Sequence, residues 1–451
     1  MGTARVRRNA HSVQSGRALA RIRCGTSNEP RDLPPPEASE MEEVAVGSKH
    51  FADYRSIIEP AAYEELQSLS KSLRGKRIAH VNATSYGGGV AELLHSIIPL
   101  MKDLGLDVHW YVLSGTNPFF DATKAIHNAL QGAPAGLTPE MESAYRKVNE
   151  ANAADFHDDF DVVVIHDPQP APLVNLVKHK SPWIWRCHID LTTPNRSVLR
   201  LLQPYLEKYD AAIFSAASYA PAEVRFRKLV VAPPAIDPLS PKNRDVSESE
   251  RKAILSRFEF DPTRPVISQV GRFDPWKDPL GVIDAYRLVK RSLPEVQLLM
   301  IGSMAKDDPE GWLWFERTAR HAGDDPDIHF LTDLRGVGAL EVNVLQRETD
   351  VALAKSLREG FGLIVSESLW KGVPVVGGDV GGIRIQIENG QHGFLVSSVP
   401  DAAGRTIELL KDSTRCGEMG RAGREKVRRE FLITRYLRDH LQLYANLALQ
   451  R

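Results

Sequence analysis

Two glutamates, Glu359 and Glu367, stand on either side of a glycine-rich turn that opens an apolar, helix-like run. The turn itself is Gly360-Phe361-Gly362. A helix N-terminus offers unpaired N–H groups and a partial positive charge, so it suits a phosphate group. A carboxylate before the turn can contact a group attached to that phosphate. A carboxylate within the helix can contact hydroxyls on the other side of the phosphate. The spacing therefore favours a nucleotide-sugar site over an ordinary loop with two solvated glutamates.

Two cationic residues, Arg272 and Lys277, follow a strand that is predicted at residues 266–271. Both are expected to lie just beyond the end of that strand and to face a ligand-binding cleft that Glu359 also faces. Fixed cations there could neutralise a diphosphate leaving group, which matters most where charge grows in the transition state. The alternative is a salt-bridged surface loop. The combination of these cations with the loop that carries Glu359 favours diphosphate binding.

The first half of the chain carries further polar or glycine-rich strand ends. The triple glycine Gly87-Gly88-Gly89 follows the first predicted strand and would let a ligand approach the backbone closely. Its spacing is not that of a dinucleotide-binding motif, so a hydride-transfer cofactor is poorly supported and a tight turn is the ordinary alternative. Asp167 and His188 each lie at the end of a predicted strand and could bind sugar hydroxyls, although a lone histidine is more often structural.

Short apolar runs bounded by turns provide the elements that would position these residues, because such runs suit buried parallel strands. The predicted strands are residues 77–81, 108–113, 162–166, 183–188, 211–214, 229–231, 266–271, 297–302, 329–331, 351–354, 374–376 and 394–396. A proline-rich stretch at residues 233–241 cannot continue a helix or a central strand and is read as an interdomain linker. Ligands of doubly wound sheets bind at the carboxyl ends of strands. We therefore expect an α/β protein with two Rossmann-like doubly wound domains facing a central cleft.

Composition excludes several classes of protein. The 451 residues carry a net charge of −1 and 25% charged side chains, so neither nucleic acid nor an anionic membrane is an expected partner. No apolar run reaches the roughly 18 residues that cross a bilayer. The three cysteines, Cys24, Cys187 and Cys416, are far apart, which argues against a disulfide framework or a zinc site and for a reducing compartment. A cytoplasmic location is expected.

The chain divides into four predicted parts. Residues 1–46 begin with an arginine-rich, acid-poor stretch and are interpreted as a disordered tail rather than an organelle transit peptide. Residues 47–236 form the first, acceptor-side domain, and residues 237–430 form the second, nucleotide-sugar-binding domain. Residues 431–451 are expected to form a helix that returns to the first domain.

Taken together, these motifs resemble the retaining, nucleotide-sugar glycosyltransferases of family 4, which have the two-domain GT-B fold. The resemblance rests on Arg272 with Lys277, and on Glu359 with Glu367, and it runs from about residue 75 to the C-terminus. Within the family the chain is similar to the glycosyltransferring trehalose synthases. That closer likeness is carried by residues 85–92, 116–120, 123–132, 166–170, 272–277 and 307–312.

The resemblance implies a role for each matching residue. The catalytic residues would be Glu359, Asp167 and His188, with Glu359 near the donor 3-hydroxyl and His188 near the reacting face of the donor sugar. The diphosphate would be held by Arg272, Lys277, Gly88, Phe361, Gly362 and Leu363. Glu367 would bind the ribose hydroxyls of the nucleotide. Contacts to the donor or acceptor sugar would come from Gly87, Gly89, Arg186 and Asn117.

The implied reaction joins glucose from a nucleoside-diphosphate glucose to free glucose, reversibly, giving α,α-trehalose and a nucleoside diphosphate. The sequence does not distinguish ADP-, UDP- and GDP-glucose, nor the physiological direction. No metal ligands and no tightly bound cofactor are expected, and Mg²⁺ would at most assist without a fixed ligand set. The resemblance also implies a homodimer.

Three alternatives stay open. A trehalose phosphorylase shares the likeness but uses inorganic phosphate, which would leave Glu367 without a ribose to bind. A family-4 enzyme could also use another acceptor, such as sucrose or a lipid, although the predicted folded part has no basic amphipathic N-terminal helix for a lipid. A non-catalytic sugar-binding protein of this fold is disfavoured because Arg272, Lys277 and Glu359 are all present.

Overall fold

Two mainly parallel sheets organise the structure, a computed structural model that describes residues 40–86, 88–303 and 309–449. Gly87 and residues 307 and 308, which were part of the predicted motifs, lie outside these ranges, as do residues 1–39 of the predicted tail. Both sheets alternate with helices along the chain. The predicted α/β fold of two doubly wound domains is confirmed.

The first sheet has seven strands in the order β1-β3-β2-β4-β5-β6-β7. Its strands are β1 (Glu42–Glu43), β2 (Arg77–Asn82), β3 (Asp107–Val112), β4 (Val162–His166), β5 (Trp183–Arg186), β6 (Ala211–Phe214) and β7 (Leu229–Val231). All neighbours pair in parallel except β1, which runs antiparallel to β3 at the edge. The sequence had assigned β1 to the disordered tail, because a strand of two residues carries no detectable period. The described structure thus includes residues 40–46 of the predicted tail.

The second sheet has six parallel strands in the order β10-β9-β8-β11-β12-β13. These are β8 (Val266–Val270), β9 (Gln297–Gly302), β10 (Ile328–Thr332), β11 (Val351–Ala354), β12 (Val375–Gly378) and β13 (Gly393–Val396). The central strands are buried on both faces, which is why they read as continuous apolar runs in the sequence.

Helices cover both faces of each sheet. In the first half they are α1 (Pro60–Ser72), α2 (Gly88–Asp103), α3 (Asn117–Leu130), α4 (Pro139–Asp155), α5 (Leu173–Leu176) and α6 (Arg196–Leu206). In the second half they are α7 (Glu248–Leu255), α8 (Pro279–Ser292), α9 (Pro309–Ala322), α10 (Ala339–Arg347), α11 (Leu363–Trp370), α12 (Gly381–Gln386), α13 (Val399–Lys411) and α14 (Ser413–Glu430). The last helix is α15 (Ile433–Ala448). Short 3₁₀ turns occur at Phe51–Tyr54, Ala217–Tyr219, Pro275–Lys277 and Asp333–Arg335.

The chain passes between its two sheets in two segments that lie side by side. Ile236, in the proline-rich stretch, donates its N–H to the carbonyl of Phe431 at 2.8 Å, and Ile433 donates to the carbonyl of Ile236 at 2.8 Å. The neighbouring Asp237 is buried and accepts from Lys49 at 2.6 Å and from Tyr54 at 2.8 Å. These bonds fix the crossing point, so any movement of one sheet relative to the other must bend the chain here.

Helix α15 packs against the first sheet and against α1 and α2. Its apolar stripe includes Leu437 and Leu441, and both side chains are fully buried. Tyr436 accepts a hydrogen bond from Arg186 of β5 at 3.3 Å. In the described ranges no helix combines the length and apolarity that a bilayer span requires.

Candidate active site

The turn between β11 and α11 needs a glycine at Gly362. Its φ of +80° lies in the left-handed region, and a Cβ there would stand 2.9 Å from Cγ of Glu359. The residue is the N-cap of α11, so the first N–H groups of that helix open toward Glu359. Phe361 anchors the turn, because its buried ring lies 5.7 Å from that of Phe431 and its carbonyl accepts from Gln386 at 2.6 Å. The predicted phosphate cradle is therefore a rigid backbone turn.

Lys277 and Glu359, predicted separately, lie together. The ammonium of Lys277 donates to Oε2 of Glu359, and the hydroxyl of Ser356 lies 3.4 Å from the same oxygen. Lys277 is fixed by its own backbone, since its N–H donates to Asp274 at 3.0 Å and its carbonyl accepts from Gln269 at 2.7 Å. A cation thus stands directly beside the carboxylate at the mouth of the α11 turn.

Arg272 lies at the end of β8 with a largely exposed side chain, 3.8 Å from the carboxylate of Asp274. It also faces His127 of α3, which belongs to the other half of the molecule. Burial, and to a smaller extent the charge of Arg272, lower the pKa of His127 to about 4. Arg272 therefore adds an unburied cation to the cleft side of the second sheet.

Glu367 is fully buried in α11, and Lys242 bridges it to the first half of the molecule. The Lys242 ammonium lies 3.4 Å from Oε1 of Glu367 and 2.9 Å from Oε2 of Glu92. The charge of Glu367 is the main cause that raises the pKa of Lys242. The other oxygen of Glu367, Oε2, has no hydrogen-bond partner within the described chain. A buried carboxylate oxygen without a donor is costly, so it is suited to accept from a ligand hydroxyl.

Asp167 occupies the end of β4 in a conformation that is uncommon for a residue with a side chain, with φ of +63°. Its Oδ1 accepts from the N–H of His188 at 2.7 Å, and its carbonyl accepts from Trp185 at 2.9 Å. Burial raises the pKa of Asp167 to about 6. Asp167 and His188 are therefore neighbours at one sheet edge, as their strand-end positions predicted.

The glycines at the start of α2 bring the two halves of the molecule close. Gly88 has φ of +75°, and a Cβ on Gly89 would lie 3.2 Å from Cδ1 of Leu363 at the start of α11. Gly87 lies outside the described residues. The starts of α2 and α11 thus face each other, which is the placement expected of two loops that share one ligand.

Arg186 does not reach this site. Its side chain is fully buried, and its donors bind the carbonyls of Cys187, Ile213 and Ala232 at 2.9–3.2 Å as well as Tyr436. The predicted sugar contact is therefore corrected to a core position under α15. Asn117 is exposed at the start of α3, and the structure gives it no hydrogen bond to the other predicted residues.

Arg358 is a cleft residue that the sequence did not single out. Its guanidinium donates to the carbonyl of Gln131, which caps α3, and lies 5.1 Å from the ring centroid of Trp276. A cation at a helix C-terminus is favourable because the last carbonyls are unpaired. On the same side, a Cβ on Gly360 would lie 3.4 Å from the carbonyl of His188. The loop that carries Glu359 thus approaches the first domain both at Arg358, before Glu359, and at Gly360, after it.

The raised pKa of Asp167 leads to a prediction about stability. An unfolded aspartate titrates near pH 3.9, so between about pH 4 and 6 the folded state binds more protons and the free energy of unfolding falls as pH rises. The variant Asp167→Asn is expected to be more stable than the parent at pH 7, by about 2 kcal/mol. Urea unfolding at pH 4 and pH 7 measures both proteins. A difference between them that does not change with pH would contradict the burial argument.

Comparison with known families matches both halves of the chain. Residues 80–221 match the family described as "Trehalose synthase, N-terminal domain", and residues 250–426 match "Glycosyl transferases group 1". A trehalose synthase of Thermococcus litoralis is 51% identical over 397 residues, which cover 88% of this chain and 96% of the relative. That of Rubrobacter xylanophilus is 50% identical and covers 90% and 99%. A trehalose phosphorylase of Pleurotus pulmonarius is 29% identical and covers 82% and 57%.

Solved structures share the fold at low sequence identity. A UDP-forming α,α-trehalose-phosphate synthase of Burkholderia xenovorans, in complex with glucose-6-phosphate, has a TM-score of 0.65 at 17% identity and covers 82% of this chain and 99% of that one. The Anabaena protein HepE, in complex with UDP and glucose, has a TM-score of 0.60 at 15% identity and covers 82% and 100%. The two sheets are thus those of the GT-B fold. The chain belongs to the trehalose synthase family, and it is a trehalose-related glycosyltransferase.

Proposed function

We propose that the enzyme transfers glucose from a nucleoside-diphosphate glucose to free glucose and releases α,α-trehalose and the nucleoside diphosphate. The observation that carries this proposal is the buried, unpartnered Oε2 of Glu367, within α11 and beyond the turn that holds Glu359. A ribose is uncharged and has adjacent hydroxyls that can donate to such an oxygen, whereas inorganic phosphate is an anion that the carboxylate repels. The complexes of structural relatives with UDP and glucose support the same class of ligand.

In the proposed reaction Lys277 and Arg272 bind the diphosphate, together with the first N–H groups of α11. As the bond between the anomeric carbon and the phosphate oxygen breaks, these cations stabilise the charge that grows on the leaving group. The acceptor hydroxyl attacks from the same face and gives its proton to the leaving phosphate oxygen, so the configuration is retained. No protein nucleophile is required. The reaction is reversible in this scheme, because trehalose links two anomeric carbons and so keeps an activated bond.

Glu359 and His188 would orient the donor glucose, and Asp167 would bind hydroxyls of donor or acceptor. The described ranges contain no cluster of three His, Cys, Asp or Glu side chains that could hold a metal ion. Where Mg²⁺ assists, the diphosphate oxygens would carry it rather than the protein.

The second candidate, a trehalose phosphorylase, is favoured by the likeness to the Pleurotus enzyme. It would use phosphate at the α11 turn and would leave the Glu367 oxygen without a donor. An acceptor other than glucose is a third candidate, and it differs from the first only on the acceptor side of the cleft.

One assay separates these candidates. Purified protein is incubated with glucose and ADP-, UDP- or GDP-glucose, with and without Mg²⁺, and nucleoside diphosphate release and trehalase-sensitive disaccharide are measured. We expect both products in equal amounts with at least one donor. Glucose 1-phosphate from trehalose and phosphate, without any reaction of the nucleotide sugars, would identify the phosphorylase. Inactivity in both reactions would indicate a different acceptor.

A further inference from the structure

Three imidazoles form a hydrogen-bonded chain from the core of the first domain to the cleft. Nδ1 of His80 lies 2.9 Å from Nε2 of His166, and Nδ1 of His166 lies 3.0 Å from Nε2 of His188. The rings are stacked, with centroids 5.2 and 5.3 Å apart. At the inner end, the hydroxyl of Tyr444 lies 3.5 Å from Nε2 of His80. His80 and His166 are buried, whereas His188 is only partly buried at the sheet edge.

Strand register brings these rings together. His80 of β2 is aligned with Val164 of β4, and His166 of β4 is aligned with Arg186 of β5. Each histidine thus lies two residues closer to the carboxyl end than the position aligned with the previous histidine. Because side chains two residues apart point to the same face of a sheet, all three rings lie on one face. The row of three histidines therefore crosses three adjacent strands diagonally, on the face that α15 covers.

The hydrogen bonds restrict the tautomers of the three rings. A neutral imidazole has one N–H donor and one acceptor nitrogen, so each N···N contact needs a donor on one side only. If Nδ1 of His80 donates to His166, then Nδ1 of His166 donates to His188, and Nδ1 of His188 carries the remaining N–H. The opposite order would leave a lone pair on Nδ1 of His188. The hydrogen bonds between the three imidazoles therefore all run in the same direction, either from His80 toward His188 or from His188 toward His80.

Tyr444 decides between the two directions. Its hydroxyl is buried, and within the described chain Nε2 of His80 is its hydrogen-bond partner. If His80 donated to Tyr444, the phenolic hydrogen would be left without an acceptor in the core, which is costly. Burial raises the pKa of Tyr444 well above its usual value, so the phenol keeps its proton and can donate. Nε2 of His80 is then the acceptor, and every later ring carries its hydrogen on Nδ1.

The surroundings keep the three rings neutral. Burial lowers the pKa of His80 to about 3 and lowers those of His166 and His188 well below the usual range. The cation of Arg186 on β5 and the ring of His440 on α15 act in the same direction on His166 and His188. The chain therefore transmits an orientation and not a charge.

We propose that His80 and His166, with the direction set by Tyr444, are positioning residues that hold His188 as the Nδ1–H tautomer. Because Nε2 of His188 is engaged by His166, Nδ1 is the nitrogen left to face the cleft beside Asp167. His188 is then a neutral hydrogen-bond donor to an oxygen. Resting on the proposed function, that oxygen is a hydroxyl of the donor glucose. The tautomer itself does not depend on the identity of the substrate.

The experiment is two-bond ¹H–¹⁵N correlation spectroscopy on full-length, substrate-free protein with ¹⁵N-labelled histidine. The spectrum distinguishes Nδ1–H from Nε2–H imidazoles, and the signal of His188 is assigned by its loss in His188→Gln. We expect the Nδ1–H pattern for His188, His166 and His80. An Nε2–H pattern for His188 overturns the proposal. Because no substrate is present, this outcome is independent of whether the proposed transfer reaction is correct.

Two variants test the origin of the direction. Tyr444→Phe removes the donor hydroxyl and keeps the ring, so the two nitrogen shifts of His188 should move toward their mean as both directions become populated. Tyr436→Phe is the matched control, because Tyr436 is an equally buried tyrosine of α15 whose hydroxyl meets Arg186 and not the histidines. It should leave the shifts of His188 unchanged. Identical shifts in Tyr444→Phe and the parent would overturn the role of Tyr444.

Discussion

Glu359→Gln is expected to lower turnover at least about 100-fold while the protein stays folded. The carboxylate of Glu359 lies beside Lys277 at the mouth of the α11 turn, where the donor sugar is proposed to bind. Glutamine keeps the size and one hydrogen-bonding oxygen but removes the negative charge that would face the sugar as positive charge develops at its anomeric carbon. Steady-state kinetics with the active nucleotide sugar measure the loss in kcat, and circular dichroism monitors the fold.

Glu348→Gln is the matched control for this experiment. Glu348, like Glu359, is a partly buried glutamate of the second domain, and it forms a two-pronged ion pair with Arg251 at 2.5 and 2.6 Å. It contacts none of the site residues, so its substitution should cost stability and leave kcat near that of the parent. Near-normal turnover in Glu359→Gln would remove Glu359 from the site. An equal loss in both variants would trace the effect to a weakened fold.

The sequence predicted the strands well because the second sheet is parallel and buried. Runs such as residues 297–302 and 351–354 are apolar throughout and coincide with β9 and β11. Two doubly wound domains were expected from two such series separated by a proline-rich stretch, and the family resemblance implied the GT-B fold. The edge strand β1 was not predicted, because its two residues contribute only backbone pairing to β3.

Site residues were predictable where a local motif carries the chemistry. The sequence placed Lys277 after a strand end and Glu359 before a turn that opens a helix, and the structure brings their charges into contact. Lys242 could not be found in this way, because its partners Glu92 and Glu367 are far from it in sequence and meet it only after both domains have folded. Long-range ion pairs leave no period or spacing in the sequence.

Arg186 shows the opposite error. It ends β5 directly before Cys187 and His188, so its position alone suggested the cleft. Its side chain instead lies on the face that α15 covers, and carbonyls of the core satisfy its donors. Strand position predicts the edge of the sheet at which a residue lies. It does not predict whether a later helix, here one about 250 residues further on, covers that face.

Lys277→Ala is expected to weaken binding of the nucleoside diphosphate by about 10- to 100-fold, since charge-assisted hydrogen bonds contribute about 1.5–3 kcal/mol each. The ammonium of Lys277 is the cation that contacts Glu359 next to the α11 turn, and its loss also leaves Glu359 uncompensated beside the bound phosphates. Isothermal titration calorimetry with the nucleoside diphosphate of the active donor measures the change. Both causes act in the same direction, so a second variant is needed to separate them.

The double variant Lys277→Ala/Glu359→Gln separates a lost attraction from a new repulsion. If Lys277 binds phosphate directly, the double variant stays weak, whereas recovery of most of the affinity would assign the effect to the charge of Glu359. Lys290→Ala is the matched control, because the Lys290 side chain is similarly exposed, 27% against 20%, and pairs with Asp325 and Asp327, which are not site residues. Its affinity should equal that of the parent. Unchanged affinity in Lys277→Ala would exclude Lys277 from the phosphate site, and the cradle would then depend on Arg272 and the α11 turn alone.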